Sequence, residues 1–189
     1  WRTFRDHVKA MSPDAYIVGE IWNNGSPWLQ GDQFDAVMNY VFRDAVLDFF
    51  VHRSISTSEF VARLEQLRAD YPAAAGEALL NLLGSHDTER VLSAFGGDTR
   101  RMLPAVAFQM SYPGVPMIYY GDEVGMVGHR DPGCRGTMVW DEIRQDRGLL
   151  ELYRNLIRQR RTRPALRRGT FRWLLKDDPS RTFAFMRVY

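Results

Sequence analysis

Cysteine, long apolar runs and net charge of either sign are all scarce in this chain of 189 residues. Its single cysteine, Cys134, excludes an internal disulfide framework and a zinc site built from cysteines. No run of about eighteen apolar residues is present, so the sequence predicts no transmembrane helix and no membrane partner. The composition, 45% hydrophobic and 25% charged, excludes a disordered or collagen-like chain and is typical of a globular protein.

Positive and negative charges nearly balance, with 25 lysines and arginines against 23 acidic residues and a net charge of +2. Most of the positive charge lies late in the chain, at Arg158, Arg160, Arg161, Arg163, Arg167 and Arg168. Such a cluster is typical of the solvated face of a helix and of the turn after it. We therefore predict no nucleic-acid partner.

The two ends of the chain predict a segment of a longer protein. The chain opens at Trp1 within a helical pattern and without an initiator methionine, and it stops inside the alternating apolar run Thr182–Tyr189. Any signal peptide would lie upstream of Trp1. We expect a cytoplasmic rather than a secreted location.

Strand-like and helix-like patterns alternate along most of the chain. Short apolar runs predict buried strands at Ala15–Val18, Phe34–Met38, Leu79–Leu83 and Val115–Tyr120. Helical periodicity and a capping box at Ser56–Glu59 predict helices at Arg2–Met11, Phe42–Arg53, Ser56 to about Tyr71, Thr99–Met110 and Leu149–Arg161. This alternation predicts parallel βα units. Two later runs, Phe171–Lys176 and Arg181–Tyr189, predict an antiparallel hairpin.

Polar side chains follow the predicted parallel strands, where chemistry gathers in such folds. They are Glu20, Asn39, the pair His86-Asp87 and the pair Asp122-Glu123. A carboxylate at the tip of a buried strand, such as Glu20, is suited to donate a proton, although an ordinary surface glutamate has the same pattern. Trp22 would point to the same side as Glu20, as in many sugar sites, or it could belong to the core.

The pair His86-Asp87 also has structural interpretations. Asp87 could cap a helix that starts near Thr88, or it could form a local ion pair with Arg90. His86 alone is more often a structural histidine than a catalyst. His86, Asp87, Asp122, Glu123 and His129 could in principle gather around a metal, but no pair of histidines at i and i+4 is present, and we expect no catalytic metal.

Taken together, Glu20 and Asp87 favour chemistry over the structural interpretations. They are predicted at the ends of different parallel strands on the same face of the sheet. Two carboxylates across a cleft are what cleavage of a glycosidic bond needs, one as an acid and one as a negative charge near the oxocarbenium centre.

Several segments resemble the α-amylase superfamily of glycoside hydrolases, glycoside hydrolase family 13. Three of them carry the superfamily resemblance: Val18–Trp22, Leu83–Arg90 and Gly114–Glu123. Two further stretches are similar to the branch of neopullulanases, cyclomaltodextrinases and maltogenic amylases: Phe34–Tyr40, and Asp131–Arg135 with Trp140–Glu142 behind it. One departure from that branch is Val41, where its members usually have proline.

The resemblance implies roles for particular residues. Glu20 would be the general acid and base. Asp87 would stabilise the transition state by binding hydroxyls of the sugar ring, to which His86 would also hydrogen-bond. Trp22 would lie near the acceptor side of the cleft.

A second pair of residues would extend the site. The resemblance implies that Asp131 and Arg135 bind a sugar on the non-reducing side of the cut, whereas the alternative is a plain loop ion pair. It implies no cofactor. A structural calcium, if the family's pattern includes one, would be bound mainly by the part of the barrel outside this chain.

The implied fold is α/β, namely the second half, strands five to eight, of a TIM (β/α)8 barrel. Residues 1–166 would form that half, and residues 167–189 would open a C-terminal antiparallel β-sandwich domain. The nucleophilic aspartate of the superfamily would precede this chain, so the chain alone is predicted to be inactive. Its partner would be the missing N-terminal half of the barrel or a second copy.

The implied activity is retaining hydrolysis of α-1,4 and α-1,6 glucans such as cyclodextrins, pullulan and maltooligosaccharides. The alternatives are an α-1,6-glucosidase or a glucan transferase of the same superfamily. From a different class, the chain could be a non-catalytic carbohydrate-binding or assembly fragment.

Overall fold

A short parallel sheet forms the centre of the computed structural model, which describes all residues from 1 to 189. Its strands are β1 (Val18–Gly19), β2 (Ala36–Val37), β3 (Leu80–Leu82) and β4 (Val115–Met117). The strands β1 and β2 pair in parallel, as do β3 and β4, and a parallel bridge between Met38 and Leu80 joins the two pairs. The spatial order therefore follows the chain order, as predicted for successive βα units.

Helices connect these strands and flank the sheet. They are α1 (Arg2–Met11), α2 (Tyr40–Leu47), α3 (Thr57–Asp70), α4 (Ala73–Ala78), α5 (Val91–Ala94), α6 (Thr99–Ser111), α7 (Arg147–Thr162) and α8 (Pro164–Arg168). A π-helical turn, Asp48–His52, continues α2. The sequence missed α4 and α8, which are only six and five residues long, and the helix considered near Thr88 begins instead at Val91 as the four-residue α5. None of the helices has the length and apolar character needed to cross a bilayer.

The strands are shorter than the sequence predicted because side chains form hydrogen bonds with the backbone groups that a longer strand would pair. The N–H of Ile17 donates to Asp35 Oδ2 at 2.8 Å, so β1 begins only at Val18. At the far ends of β3 and β4, the carbonyl of Leu83 accepts from Arg43 and that of Met117 accepts from Gln109. These carbonyls are satisfied without a neighbouring strand, and the ladder stops.

The capping prediction for α3 is half right. Ser56 Oγ accepts the N–H of Glu59 at 3.1 Å, as a capping box requires. The carboxylate of Glu59 instead binds Arg63 at 2.8 Å, one turn along the helix. At α2 the cap is Asn39, whose side chain accepts from the N–H of Phe42 and donates to Asn81, so the buried amide of Asn39 is satisfied within the fold.

The antiparallel hairpin, β5 (Thr170–Asp177) and β6 (Thr182–Val188), shares one hydrophobic core with the helices. The ring of Phe183 lies 5.4 Å from Phe60 on α3 and 5.5 Å from Phe108 on α6. Arg181 donates to the carbonyls of Phe49 and Ile55. The hairpin therefore packs over α3 and α6 as a second layer.

Candidate active site

Glu20 is the first residue beyond β1, and its side chain is 39% exposed. The glycine before it is required by close packing, since a Cβ on Gly19 would collide with the ring of Phe34. Small size at Gly19 lets β1 lie against the core while the next side chain remains accessible.

His86 and Asp87 reach Glu20 from the segment that follows β3. His86 Nε2 lies 3.8 Å from Glu20 Oε1 and 3.4 Å from Asp87 Oδ2. One ligating atom from each of the three side chains lies within 4.8 Å of the others. The structure thus brings together the two carboxylates that the sequence placed at the ends of different parallel strands.

Arg135 stands between two carboxylates. Its Nη2 lies 2.7 Å from Asp87 Oδ1, and its Nε lies 2.6 Å from Asp131 Oδ1. Asp131 and Arg135 form more than the plain loop ion pair considered from the sequence, because Arg135 also contacts Asp87. The buried thiol of Cys134 donates to the carbonyl of His86 at 3.1 Å, which ties this loop to the His86 segment.

The two structural interpretations of Asp87 are wrong. The helix that follows, α5, begins at Val91 with Arg90 as its N-cap residue, so Asp87 does not cap it. Arg90 pairs with Asp122 at 3.3 Å, and Asp87 pairs with Arg135. The turn at Asp87 is held instead by its own N–H, which donates to Ser85 Oγ at 3.3 Å.

Trp22 stacks on Tyr40 beside Glu20. The two rings are 3.9 Å apart and nearly parallel, at 12°, and 47% of Trp22 is exposed. Its indole is therefore a half-open platform and not a core side chain. The hydroxyl of the buried Tyr40 donates to Glu20 Oε1 at 3.0 Å. Burial raises the pKa of Tyr40 to about 12, so its hydroxyl stays protonated at neutral pH.

Sequence reasoning missed Tyr40 as a site residue. Tyr40 is the last residue of the segment Phe34–Tyr40, which resembles one branch of the family, and an apolar run that ends in tyrosine is typical of core packing. The signal that could have found it was its position, three residues after the end of β2 and next to Asn39.

Asp122 lies outside the cleft in a buried cluster with Arg90. Arg90 is fully buried, donates to the carbonyl of Tyr120 at 2.6 Å, and lies 4.7 Å from the rings of Tyr119 and Tyr120. Burial raises the pKa of Asp122 to about 7, although Arg90 acts in the opposite direction. This cluster fastens the segment after β3 to the turn after β4.

Of the residues considered for metal binding, only His86 and Asp87 come together. Glu20, which was not among them, completes a group of three whose ligating atoms are close enough to share an ion. Asp122 instead pairs with Arg90, and His129 pairs with Glu89 at 2.5 Å on the surface. Both oxygens of Asp87 and one of Glu20 already face partners within the protein, which are His86, Arg135 and Tyr40.

A polar groove of about 620 Å³ adjoins the site. Its lining joins Trp22 and Asp87 to charged and polar side chains of α2 and of the π-helical turn, among them Arg43, Asp48 and His52. Hydrogen-bond donors and acceptors next to an exposed aromatic ring are suited to a ligand rich in hydroxyl groups.

Comparison with known proteins gives a family match over most of the chain. Residues 1–141 match the family model described as the catalytic domain of alpha amylase. The chain is 52% identical over 187 residues to a cyclomaltodextrinase of a Bacillus species, and 51% identical over 188 residues to neopullulanase 2 of Thermoactinomyces vulgaris. These alignments cover 99% and 100% of the chain but only 34% and 32% of the relatives, so the chain spans about a third of their length.

Solved structures are similar over the same range. A cyclomaltodextrinase superimposes with a TM-score of 0.96 at 52% identity, covering 99% of this chain and 32% of that one. The cyclic alpha-maltosyl-(1→6)-maltose hydrolase of Arthrobacter globiformis superimposes with a TM-score of 0.91 at 46% identity, covering 94% of this chain and 40% of that one. The α/β fragment described above is thus part of the barrel fold of these enzymes.

Proposed function

We propose that this chain, which belongs to the alpha-amylase catalytic-domain family, supplies the general acid and base of a retaining glycoside hydrolase that acts on α-glucans. The observation that carries the proposal is the meeting of Glu20, His86 and Asp87 within 4.8 Å at the ends of β1 and β3. The similar proteins named cyclomaltodextrinase and neopullulanase support cyclodextrins, pullulan and maltooligosaccharides as the substrate class. The similar maltosyl-maltose hydrolase supports α-1,6 as well as α-1,4 linkages.

In this mechanism Glu20 protonates the leaving oxygen of the scissile bond. A carboxylate from the part of the protein outside these residues attacks the anomeric carbon and forms a glycosyl-enzyme, and the leaving sugar departs with the proton of Glu20. Glu20, now ionised, takes a proton from water, which attacks the anomeric carbon and releases the second product.

Asp87 and His86 act on the ring held between these groups. The Asp87 carboxylate, oriented by Arg135, binds ring hydroxyls and opposes the positive charge that develops on the oxocarbenium centre. His86 donates to the same ring. Trp22 offers its exposed face to the sugar on the acceptor side, and Asp131 together with Arg135 binds a sugar on the non-reducing side.

The whole protein would place this chain in a larger fold. The four parallel strands are then strands five to eight of a (β/α)8 barrel, with residues 1–166 in the barrel and residues 167–189 opening a C-terminal β-sandwich domain. The preceding half of the barrel, or a second copy, is the partner. A cytoplasmic location is supported by a relative, 38% identical over 189 residues, named intracellular maltogenic amylase of Bacillus subtilis.

The test compares Glu20→Gln with Asp87→Asn in the whole protein. Glutamine keeps the shape of Glu20 but cannot act as an acid, so turnover of maltooligosaccharides should fall about 10²–10⁴-fold. An aryl glycoside or glycosyl fluoride needs little acid assistance, so its first step should survive and the glycosyl-enzyme should accumulate. Asp87→Asn should slow both substrate types, since its charge acts on the ring.

Two results bear against the proposal. If Glu20→Gln lowers the turnover of natural and activated substrates equally, Glu20 is not the general acid. Carbohydrate binding without turnover by the unmodified whole protein would favour the non-catalytic alternative.

A further inference from the structure

Tyr40 is the most deeply buried polar side chain that touches Glu20. It is the first residue of α2, and only 1% of its surface is exposed. Its Oη lies 3.0 Å from Glu20 Oε1 and 3.0 Å from Ser85 Oγ. Ser85 is fully buried and in turn accepts the N–H of Asp87 at 3.3 Å. A line of hydrogen bonds therefore runs from Asp87 through two hydroxyls to Glu20.

The chemistry of these groups fixes the direction of the line. An ionised carboxylate only accepts, so the single hydroxyl proton of Tyr40 is donated to Glu20. The oxygen of Tyr40 then accepts from the hydroxyl of Ser85, whose own oxygen accepts from the backbone of Asp87. Ser85 Oγ also lies 3.4 Å from Thr88 Oγ1, a longer contact than the 3.0 Å to Tyr40, so the Ser85 proton is assigned to Tyr40.

The same arrangement distinguishes the two oxygens of Glu20. Because Oε1 is occupied as an acceptor for Tyr40, the transferable proton belongs on Oε2 when Glu20 is protonated. The indole of Trp22, 3.9 Å above the ring of Tyr40, closes the open side of that ring and limits its movement. A carboxyl group held at one oxygen loses the rotation that would otherwise present the proton in several directions.

We propose that Tyr40, oriented by Ser85, is a positioning residue that holds Glu20 Oε1 and thereby directs the acid proton from Oε2 to the leaving oxygen. The inference rests on the proposed function of Glu20. It adds that hydrogen bonds through the buried hydroxyls of Tyr40 and Ser85 connect Glu20 to the segment that carries Asp87.

The experiment compares Tyr40→Phe with Tyr112→Phe in the whole protein. Tyr112 is an equally buried tyrosine whose hydroxyl donates to the carbonyl of Leu64 at 3.3 Å in the core, so it controls for the loss of a buried hydroxyl. Tyr40→Phe should lower kcat on maltooligosaccharides about tenfold, the worth of a hydrogen bond to a charged group, with KM nearly unchanged. An aryl glycoside should lose much less.

The pH profile supplies a readout that a merely structural role would not move. Removing a donor to the carboxylate makes ionisation of Glu20 less favourable, so the alkaline limb of kcat/KM should move to higher pH in Tyr40→Phe but not in Tyr112→Phe. Ser85→Ala should shift this limb in the same direction and by less, because it acts on Glu20 only through Tyr40.

Two outcomes separate this inference from the function on which it rests. If Tyr40→Phe matches Tyr112→Phe in rate, substrate dependence and pH profile, while Glu20→Gln still spares activated substrates, the positioning role is overturned and the acid role stands. If Glu20→Gln itself fails to distinguish natural from activated substrates, the proposed function falls first.

Discussion

Arg135 shows how one exposed side chain can order a site without stabilising the fold. Its guanidinium bridges Asp87 and Asp131, yet 47% of its side chain is exposed, as are 38% and 58% of its two partners. Exposed ion pairs contribute little to the free energy of folding because water and salt screen them. The direction of the hydrogen bonds is kept, however, so the main effect of Arg135 is to orient the carboxylate of Asp87.

We therefore expect Arg135→Ala to impair catalysis without unfolding the protein. Turnover of maltooligosaccharides should fall about tenfold or more because Asp87 loses its fixed orientation. The melting temperature should change as little as for Arg154→Ala, which breaks the exposed pair with Glu151 on α7 and serves as the control. Steady-state kinetics and thermal melts of both variants give the comparison. A Tm loss that accounts for the lost activity would show that Arg135 acts mainly on stability.

The existence and order of the strands, and the polar residues that follow them, were predictable from the sequence because an apolar run followed by a polar residue is a local signal. That signal was enough to place Glu20, His86 and Asp87. The partners of those residues were not predictable, since Tyr40 and Ser85 meet Glu20 and Asp87 through contacts between different elements. The same limit applies to Arg90, for which Asp87, three residues away, was considered as the partner and the distant Asp122 is found.

At the scale of elements, the cluster of Arg90 and Asp122 joins the loop after β3 to the turn after β4. The guanidinium binds both Asp122 and the carbonyl of Tyr120, so one buried side chain fixes two connections. The lengths of β3 and β4 were overestimated from their apolar runs for a related reason. Their last carbonyls bind side chains, and such bonds are set by packing and not by local propensity.

The buried carboxyl of Asp122 predicts a pH dependence of stability. Its pKa is raised from the ordinary 3.8 to about 7 by burial, so between these values the folded state holds a proton that the unfolded state has lost. Its contribution to the free energy of unfolding is complete below about pH 4 and is lost as the pH rises through about 7. The slope approaches about 1.4 kcal/mol per pH unit within that window.

Urea unfolding of the whole protein at pH 5 and pH 8 measures this effect. The unmodified protein should lose stability between these values, and Asp122→Asn should lose less, because asparagine does not titrate. Asp6→Asn is a control, since Asp6 is exposed on α1, a helix without buried residues. Parallel pH dependences of the unmodified protein and Asp122→Asn would contradict the assignment.

At the scale of the whole molecule, the hairpin and the helices form one unit within these residues. Beyond the shared aromatic core, the carbonyl of Asp177 accepts from Thr57 at 3.2 Å and the carboxylate of Asp178 accepts the N–H of Ser58 at 2.6 Å. These bonds meet the N-terminus of α3, where unpaired N–H groups favour an anion, and they lower the pKa of Asp178. The sequence predicted the hairpin but not this docking, which depends on residues more than a hundred positions apart.

The sheet itself ends in two open edges. Each outer strand, β1 and β4, pairs on one side only. Beside β1, large apolar side chains are partly exposed, with Trp1 at 65%, Phe4 at 50% and Tyr16 at 48%. An exposed strand edge flanked by apolar surface is stable when another strand covers it. This is the place where the other half of the proposed barrel would continue the sheet.

The final prediction concerns where the covalent intermediate forms. Glu20 and Asp87 come within 4.8 Å, close to the separation of about 5–5.5 Å at which a retaining enzyme holds its acid and its nucleophile. Asp87 is nevertheless bound by Arg135, whose charge stabilises the carboxylate and weakens it as a nucleophile. We therefore expect the nucleophile to lie in the other part of the protein. This chain, purified alone, should show no Glu20-dependent cleavage of a cyclodextrin.

A fluorinated glycosyl fluoride traps the glycosyl-enzyme because the electron-withdrawing fluorine slows its hydrolysis. In the whole protein carrying Glu20→Gln, the label should accumulate, since glutamine cannot activate the attacking water. Peptide mapping by mass spectrometry should place the label on an aspartate outside these 189 residues. Asp87→Asn should still be labelled at that position, although more slowly, because its charge supports the transition state without forming the bond. A label on Asp87 itself would instead make this chain the source of both catalytic carboxylates.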